Sequence, residues 1–324
     1  MLYSQALPGQ AGYGMHVLIT GGTGRLGPFV CKAFLEEGFN VRLLLHRRKV
    51  KGLGKNIEIV WGSINDPDSV RKALDRADAV VHLAGVVQPL TEEKPELAQR
   101  INVGGTQTVV SLVKESGKRI PFVYPSSVAV FGPRPDLTEC IQTDKVTCNP
   151  TSEYAKTKVQ SENIIKESGI DYVILRLTAV PYLRLALSDV KTQMYTIPLK
   201  NRLEFCHPDD VALAMVNAVK NFQQVKGKTL IIAGGSSQQM LFEDMLRAIF
   251  KTFGLPLPPQ HKFAREPFPL HWYDTTRSQE LLKFQRRTLD DYSKDFARQL
   301  PAPFLAFMRH FIGPVFGRLI VRVV

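Results

Sequence analysis

The stretch Thr20-Gly-Gly-Thr-Gly-Arg-Leu-Gly27 follows directly on the apolar run His16–Thr20 and leads into a helical pattern at Pro28–Glu37. A buried strand, a glycine loop and a helix, in that order, form the context of a phosphate-binding turn. Glycines let the chain turn tightly and approach a pyrophosphate, while the unpaired amides and dipole at the helix start favour an anion. Two spacings satisfy the pattern: Gly21, Gly24 and Gly27, or Gly22, Gly24 and Gly27, with Thr23, Arg25 and Leu26 between them. The alternative is a glycine turn that binds nothing; the strand before it and the helix after it favour a dinucleotide site.

Outward from this loop, strand-like runs alternate with helical patterns. The runs are Val41–Leu45, Ile57–Trp61, Ala79–Leu83, Phe122–Tyr124 and Tyr172–Leu177, and the helices are Pro67–Asp75, Glu96–Ser116 and Ser152–Ser168. Each helix lies close to a Gly, Pro, Asp or Ser boundary signal. Such alternation predicts right-handed βαβ crossovers and an α/β fold with a doubly wound parallel sheet covered on both faces. It falters at Thr178–Phe205, which contains Pro181 and Pro198, and returns as a helix at Pro208–Val219 and a strand at Thr229–Ala233. Residues 15–177 and 207–234 are therefore assigned to a dinucleotide-binding domain. Residues 178–206 and 235–300 are assigned to a small substrate-binding cap over the carboxyl edge of the sheet. Residues 1–14 read as a disordered extension and 301–324 as an apolar basic tail.

With 42 Lys and Arg against 30 Asp and Glu, the 324-residue chain carries +12, an excess that suits nucleic acid, anionic lipid or a phosphorylated ligand. Nucleic acid is disfavoured, because the densest basic cluster, His46–Lys51, is short and has no interleaved aromatics. Cys31, Cys140, Cys148 and Cys206 show no CxxC spacing and no secretory pattern precedes them, so reduced thiols, a cytoplasmic setting and no metal site are expected. No apolar run reaches the roughly 18 residues of a membrane span. In the tail, Phe304, Leu305, Phe307, Met308, Phe311 and Ile312 recur near helical spacing beside Arg309, His310, Arg318 and Arg322, with no acidic residue from Pro301 onward. The favoured expectation is docking on the cap or a dimer partner; the alternative is peripheral contact with an anionic membrane surface.

The choice of dinucleotide rests on the end of the second strand, where a carboxylate would hold ribose hydroxyls and cations would tolerate a 2′-phosphate. The chain reads Leu45-His46-Arg47-Arg48, has no carboxylate between Asn40 and Asn56, and carries Arg25 inside the glycine loop. NADP is expected over NAD, the alternative being that Arg47 and Arg48 only solvate a loop.

Two further stretches carry chemistry. YAKTK places Tyr154 and Lys158 four residues apart, on one helical face. A phenol of ordinary pKa near 10 is a poor acid or base at neutral pH, and a neighbouring ammonium lowers it. YPSSVAVFG supplies Ser127, suited to hold a carbonyl or alcohol oxygen while Tyr154 exchanges its proton. By spacing alone, Tyr154 and Lys158 would equally be two surface residues.

Together with HLAG at His82–Gly85, NVGGT at Asn102–Thr106, SSVAVFG at Ser126–Gly132, HPDDVA at His207–Ala212 and WYDTTRSQELLKFQRRTLDD at Trp272–Asp291, the chain from Met15 to about Gln299 resembles the extended, epimerase/dehydratase-like branch of the short-chain dehydrogenase/reductase superfamily. The resemblance implies a Rossmann-type sheet and a homodimer formed through the Glu96–Ser116 and Ser152–Ser168 helices. It selects Ser127 over Ser126 and makes Lys158 an anchor for the nicotinamide ribose. It makes Asn102 a candidate for ordering a water that relays protons through Lys158, the alternative being a helix-stabilising amide. Leu83, Ala84 and Gly85 would line the cofactor, and His82 would be structural. Two departures stand out. Ser63, with Ile64 beside it, replaces the aspartate that often meets adenine, and Arg176–Pro181 lacks the pattern of members acting on nucleotide sugars.

The expected activity is that of an NADP-dependent oxidoreductase interconverting a carbonyl and a secondary alcohol on a modest, partly apolar small molecule. The alternatives are a sugar-nucleotide epimerase or dehydratase using the same residues with a tightly bound cofactor, and a non-catalytic NADP-binding scaffold or redox sensor.

Overall fold

The apolar run at the head of the glycine loop forms strand β1 (His16–Thr20), the third of seven in a parallel sheet. A computed structural model of the chain describes residues 14–48, 57–143, 145–181, 194–307 and 310. The strands are β2 (Asn40–Leu45), β3 (Ile57–Trp61), β4 (Ala79–His82), β5 (Phe122–Ser127), β6 (Tyr172–Leu177), β7 (Arg202–Glu204), β8 (Thr229–Ile232) and β9 (Gln239–Leu241). The sheet runs β3-β2-β1-β4-β5-β6-β8, so the chain reverses its direction of travel between β1 and β4. In open α/β sheets the ligand crevice lies at the carboxyl ends of the strands at that switch point.

Nearly continuous burial along β1, β2 and β4 is what two covered faces require. On one face Val17, Ile19, Leu43 and Val81 pack against the Gly27–Glu36 and Pro208–Lys220 helices. On the other, Leu18, Leu44, Val80 and Phe122 pack against Val70 of the Pro67–Leu74 helix and Val109 and Val113 of the Gly105–Glu115 helix. The expected doubly wound sheet is thus observed.

Two elements differ from the sequence reading in extent. The fifth strand continues through Pro125 to Ser127 instead of ending at Tyr124. Pro121 O accepts from Val80 N of β4, whereas Phe122 N donates to Asp171 O beside β6. By the same alternation the amide position of Pro125 faces the β4 side, beyond the last residue β4 pairs, so its missing N–H interrupts no ladder. The Glu96–Ser116 helix is instead a short turn at Pro95–Ala98, a wide π-type turn at Gln99–Gly104 and a helix at Gly105–Glu115. The wide turn is where the Asn102 side chain is drawn out of the helical path to bond the backbone of Val86.

Beyond β6, β7 and β9 form a two-stranded antiparallel ribbon. It shares a separate core with the Phe242–Thr252 helix and the Leu289–Ala297 helix, built around Leu203, Phe205, Met245 and Tyr292. The buried Glu204 carboxylate stitches this ribbon to its surroundings by accepting from Gly235 N at 2.7 Å, Tyr273 N at 2.9 Å and Gln239 Nε2 at 3.0 Å. Leu282 and Phe284, although late in the chain, belong to the sheet core. Of the tail, Ala302–Phe307 is helical; most of its remainder and the 1–13 extension lie outside the described residues. No helix among the described residues is long and apolar enough to cross a membrane.

Arg176 of β6 and Glu162 of the Glu153–Glu167 helix form a buried fork, Nε to Oε1 at 3.0 Å and Nη2 to Oε2 at 2.7 Å. Burial pushes the Glu162 carboxyl up, and Arg176 more than offsets this, holding it below the usual range. A depressed carboxyl pKa contributes stability that is present above the unfolded value and lost as pH falls through the folded one. Arg176→Met leaves the carboxylate buried without its partner and should cost about 3–5 kcal/mol in chemical denaturation at neutral pH. A loss below about 1 kcal/mol would show that the fork behaves like an exposed pair.

Candidate active site

The two glycine spacings are resolved by where the chain comes closest to itself. Gly21 has φ +72° and a Cβ there would lie 2.6 Å from Ala84 N. A Cβ on Gly27 would lie 2.2 Å from Gly22 O, whereas one on Gly22 would meet only side chains, Leu43 Cδ2 first, at 2.9 Å. Steric demand therefore falls on Gly21 and Gly27, with Gly24 between them contacting only Gly21 O. Gly24 is exposed at the mouth of the turn, which suits the close approach of a pyrophosphate. Thr23 and Arg25 are partly exposed on this loop, and Leu26 is buried beneath it. Leu83, Ala84 and Gly85 continue β4 alongside, with Leu83 N and Ala84 N donating to Thr20 O and Thr20 Oγ1, both at 3.2 Å.

At the end of β2, His46, Arg47 and Arg48 are all exposed. Ser63 Oγ accepts from Asn65 N at 3.2 Å in the turn after β3. Ile64 is buried against Gly105, where a Cβ would come within 2.4 Å of its Cδ1, so this side chain fixes the approach of the Gly105–Glu115 helix to the sheet.

Tyr154 and Lys158 lie in the first two turns of the Glu153–Glu167 helix, whose amino end is capped twice. Ser152 Oγ accepts from Ala155 N at 3.2 Å. The Glu92 carboxylate, from another segment, accepts from Glu153 N at 3.1 Å and Tyr154 N at 3.2 Å. An anion on those amides also complements the helix dipole. Lys158 Nζ donates to Pro125 O at 2.8 Å and to Tyr124 Oη at 3.2 Å, and lies 5.9 Å from the centre of the Tyr154 ring. Burial holds its ammonium below the ordinary lysine range, while Tyr154 and Glu162 pull the other way. Ser127, partly exposed at the end of β5, accepts from Ala129 N at 3.1 Å and keeps its hydroxyl proton for another acceptor. Ser126 is buried. Gly132 ends the following turn with φ +67°, and a Cβ there would lie 2.2 Å from Asn149 O, so the segment leading to the helix packs directly on this glycine.

Asn102 is buried, and both its amide protons are engaged, with Val86 O and Thr157 Oγ1, each at 3.0 Å. Its backbone carbonyl accepts from Thr106 Oγ1 at 2.5 Å and Ser161 Oγ at 3.1 Å. In the described contacts Asn102 thus clamps the segment after β4 to the Tyr154 helix and makes no bond to Lys158. Because the Thr106 proton goes to Asn102 O, Thr106 Oγ1 can only accept from His82 Nε2, 3.2 Å away. The other ring nitrogen, Nδ1, then accepts from Thr20 Oγ1 at 2.8 Å. We assign His82 as the neutral Nε2–H tautomer, in keeping with a pKa that burial, aided by Lys158, pushes down to about 3.

The family model for the NAD dependent epimerase/dehydratase family matches residues 17–233. The chain belongs to that family. An uncharacterised protein, y4nG, of Sinorhizobium fredii is 35% identical over 222 residues, 63% of this chain and 54% of that protein. D-erythronate dehydrogenase of Cupriavidus necator is 32% identical over 182 residues, 51% of this chain and 55% of that enzyme. The chain thus spans about half the length of these curated relatives. UDP-glucuronic acid 4-epimerase of Bacillus cereus, solved with UDP-glucuronic acid and NAD, superposes with a TM-score of 0.73 at 21% identity over 89% of this chain and all of that one, a likeness of fold. The matched span takes in every residue named above, from the glycine loop to Lys158. Of the ribbon, β7 lies within it, whereas β9 and the Phe242–Thr252 and Leu289–Ala297 helices of the same core lie beyond it.

His207, Asp209 and Asp295 present side-chain atoms within 4.8 Å of one another, a spacing open to a metal ion. Arg287 already meets both carboxylates, at 3.4 Å from Asp209 and 2.7 Å from Asp295, so its guanidinium supplies the cation there. His207, like His82, is held below the usual histidine range chiefly by burial. A histidine kept neutral in the fold protonates first in the unfolded chain, so stability falls as pH drops below about 6.5. His82→Asn should remove one proton, about 1.4 kcal/mol per pH unit, from that slope between pH about 6 and 4. Denaturation midpoints across this range measure it, and an unchanged slope would mean that His82 already carries a proton in the fold.

Proposed function

We propose that the protein is an NADP-dependent oxidoreductase that interconverts a carbonyl and a secondary alcohol on a small, partly apolar molecule. The observation that supports this reading is that Lys158 is tied through Pro125 O and Tyr124 Oη to β5, the strand that ends at Ser127, and stands 5.9 Å from the centre of the Tyr154 ring. The backbone approach around Gly21 and Gly24, the helix start at Gly27 and the open end of β4 fit a bound dinucleotide, which supplies the hydride acceptor or donor. Arg47 and Arg48, exposed at the end of β2, would hold its 2′-phosphate, with Arg25 nearby in the sequence of the loop.

In the direction of reduction, Tyr154 gives its phenolic proton to the substrate oxygen. Lys158 keeps a positive charge beside the phenolate that remains, lowering the free energy of the charged form. Ser127 donates its hydroxyl proton to the same substrate oxygen and so fixes the carbonyl where the proton arrives. The D-erythronate dehydrogenase relative acts on a hydroxy acid by its name, which is consistent with alcohol–carbonyl chemistry.

Tyr154→Phe should lower kcat by at least about 100-fold while leaving NADPH affinity within about twofold; full activity in this variant would remove Tyr154 from the mechanism. The cofactor preference is tested separately. Arg47→Ala with Arg48→Ala should raise KM for NADPH by roughly tenfold or more, an effect of about 1.4 kcal/mol, and leave KM for NADH almost unchanged. Equal effects on both cofactors would show that these arginines do not read the 2′-phosphate. NADPH consumed in step with a carbonyl substrate distinguishes this activity from epimerisation, in which a tightly bound cofactor is regenerated at each turnover.

A further inference from the structure

Tyr124 is 1% exposed, lies on β5 between β4 and β6, and has no role in the reaction as described so far. It is nonetheless one of two fixed acceptors for Lys158, and the Lys158 ammonium also stands 4.6 Å over the centre of the Tyr124 ring. Lysine has three N–H donors. Two of them are directed at β5, and the ammonium stands 5.9 Å from the centre of the Tyr154 ring. Burial drives Lys158 toward its neutral form, in which it could no longer stabilise a phenolate.

Lys158 faces polar groups from its own helix, from β5 and from β4. Tyr154 and Glu162 lie on its own helix, Tyr124 and the Pro125 carbonyl on β5, and the neutral His82 on β4. Glu162 is engaged by Arg176 at 2.7 Å and Lys166 at 3.1 Å, so much of its charge is already neutralised. Tyr124 differs from all of these. Burial raises its phenol, keeping it neutral, and its oxygen interacts with the hydroxyls of Ser161 and Thr106. Both of these give their protons to Asn102 O, so the Tyr124 O–H can donate to one of them.

We infer that Tyr124 is a positioning residue for the reaction: its buried hydroxyl and ring face hold the Lys158 ammonium charged and in place beside Tyr154. This rests on the reading above in which Tyr154 exchanges the proton. Tyr124→Phe keeps the ring and its packing and removes the acceptor. Loss of a hydrogen bond to the charged form lowers the lysine pKa further, weakens the charge beside Tyr154 and so raises the phenol.

The test compares wild type, Tyr124→Phe and Tyr154→Phe by phenolate absorbance of the full-length protein over a pH range, and by the pH profile of kcat/KM for alcohol oxidation with NADP. The phenolate step missing from Tyr154→Phe identifies Tyr154. In Tyr124→Phe that step, and the acidic limb of kcat/KM, should move up by about one pH unit, lowering the rate below the limb about tenfold. KM for NADP should change little. A lowered unfolding temperature with an unmoved phenolate step would mean that Tyr124 only packs, and would overturn the inference. Ser161→Ala, which takes away a partner of the Tyr124 hydroxyl, should shift the step in the same direction by less, and serves if Tyr124→Phe does not fold. Failure of the underlying reading appears elsewhere, as a Tyr154→Phe variant that keeps its turnover, because the phenolate step is measured without substrate.

Discussion

The contact of the Gly21 backbone with Ala84, at the carboxyl ends of β1 and β4, is the constraint from which the rest of the site follows. A side chain on Gly21 would overlap the Ala84 backbone, so only glycine lets the two strand ends meet. Once they meet, the Thr20 hydroxyl accepts from Ala84 N and donates to His82 Nδ1. The segment leaving β4 is then caught by the Asn102 amide at Val86, and the same amide reaches Thr157 on the helix of Tyr154 and Lys158. The glycine loop and the helix of Tyr154 and Lys158, far apart in the chain, are therefore registered against each other through a glycine-permitted contact and a run of buried hydrogen bonds.

Such a run is sustainable only because each buried donor along it has an assigned acceptor. An unpaired hydroxyl or imidazole in this interior would cost about 1–3 kcal/mol, and the low local dielectric that enforces the penalty also strengthens the bonds that are made. The same reasoning applies to the charges. Glu162, on the same helix as Tyr154, is paired with Arg176 of β6 and with Lys166, and Lys158 is held by neutral acceptors in place of a carboxylate. A carboxylate in contact with Lys158 would hold the ammonium more firmly but would oppose a phenolate forming next to it. Neutral acceptors leave the positive charge of Lys158 available to the Tyr154 ring beside it.

How much of this was legible in the sequence depends on the range of the interaction involved. The glycine loop, the alternation of strands and helices and the pairing of Tyr154 with Lys158 are encoded within a few residues, and the resemblance of the ordered motifs added Ser127 and Asn102. Partners distant in sequence left no local signal. Glu92 capping the amides of Glu153 and Tyr154, and Arg176 bridging to Glu162, are such cases. Tyr124 stood inside a stretch already singled out, and a hydroxyl-bearing aromatic in a core strand next to a proline was the available clue. The sequence reading ended that strand at Tyr124, whereas it continues through Pro125, because a lost ladder donor matters only where a neighbour is there to accept and β4 is too short to be that neighbour.

By itself the sequence determined the parallel sheet, its order of elements and the residue types at the site, because hydrophobic period and glycine spacing act through neighbours along the chain. It left two glycine spacings equally open and could not say which atoms Lys158 or Asn102 would bind. Only the tertiary structure decided these. Gly21 is singled out by a backbone from β4, Lys158 by two oxygens of β5 and Asn102 by a segment 16 residues away, and each of these contacts exists only after the strands have been brought side by side.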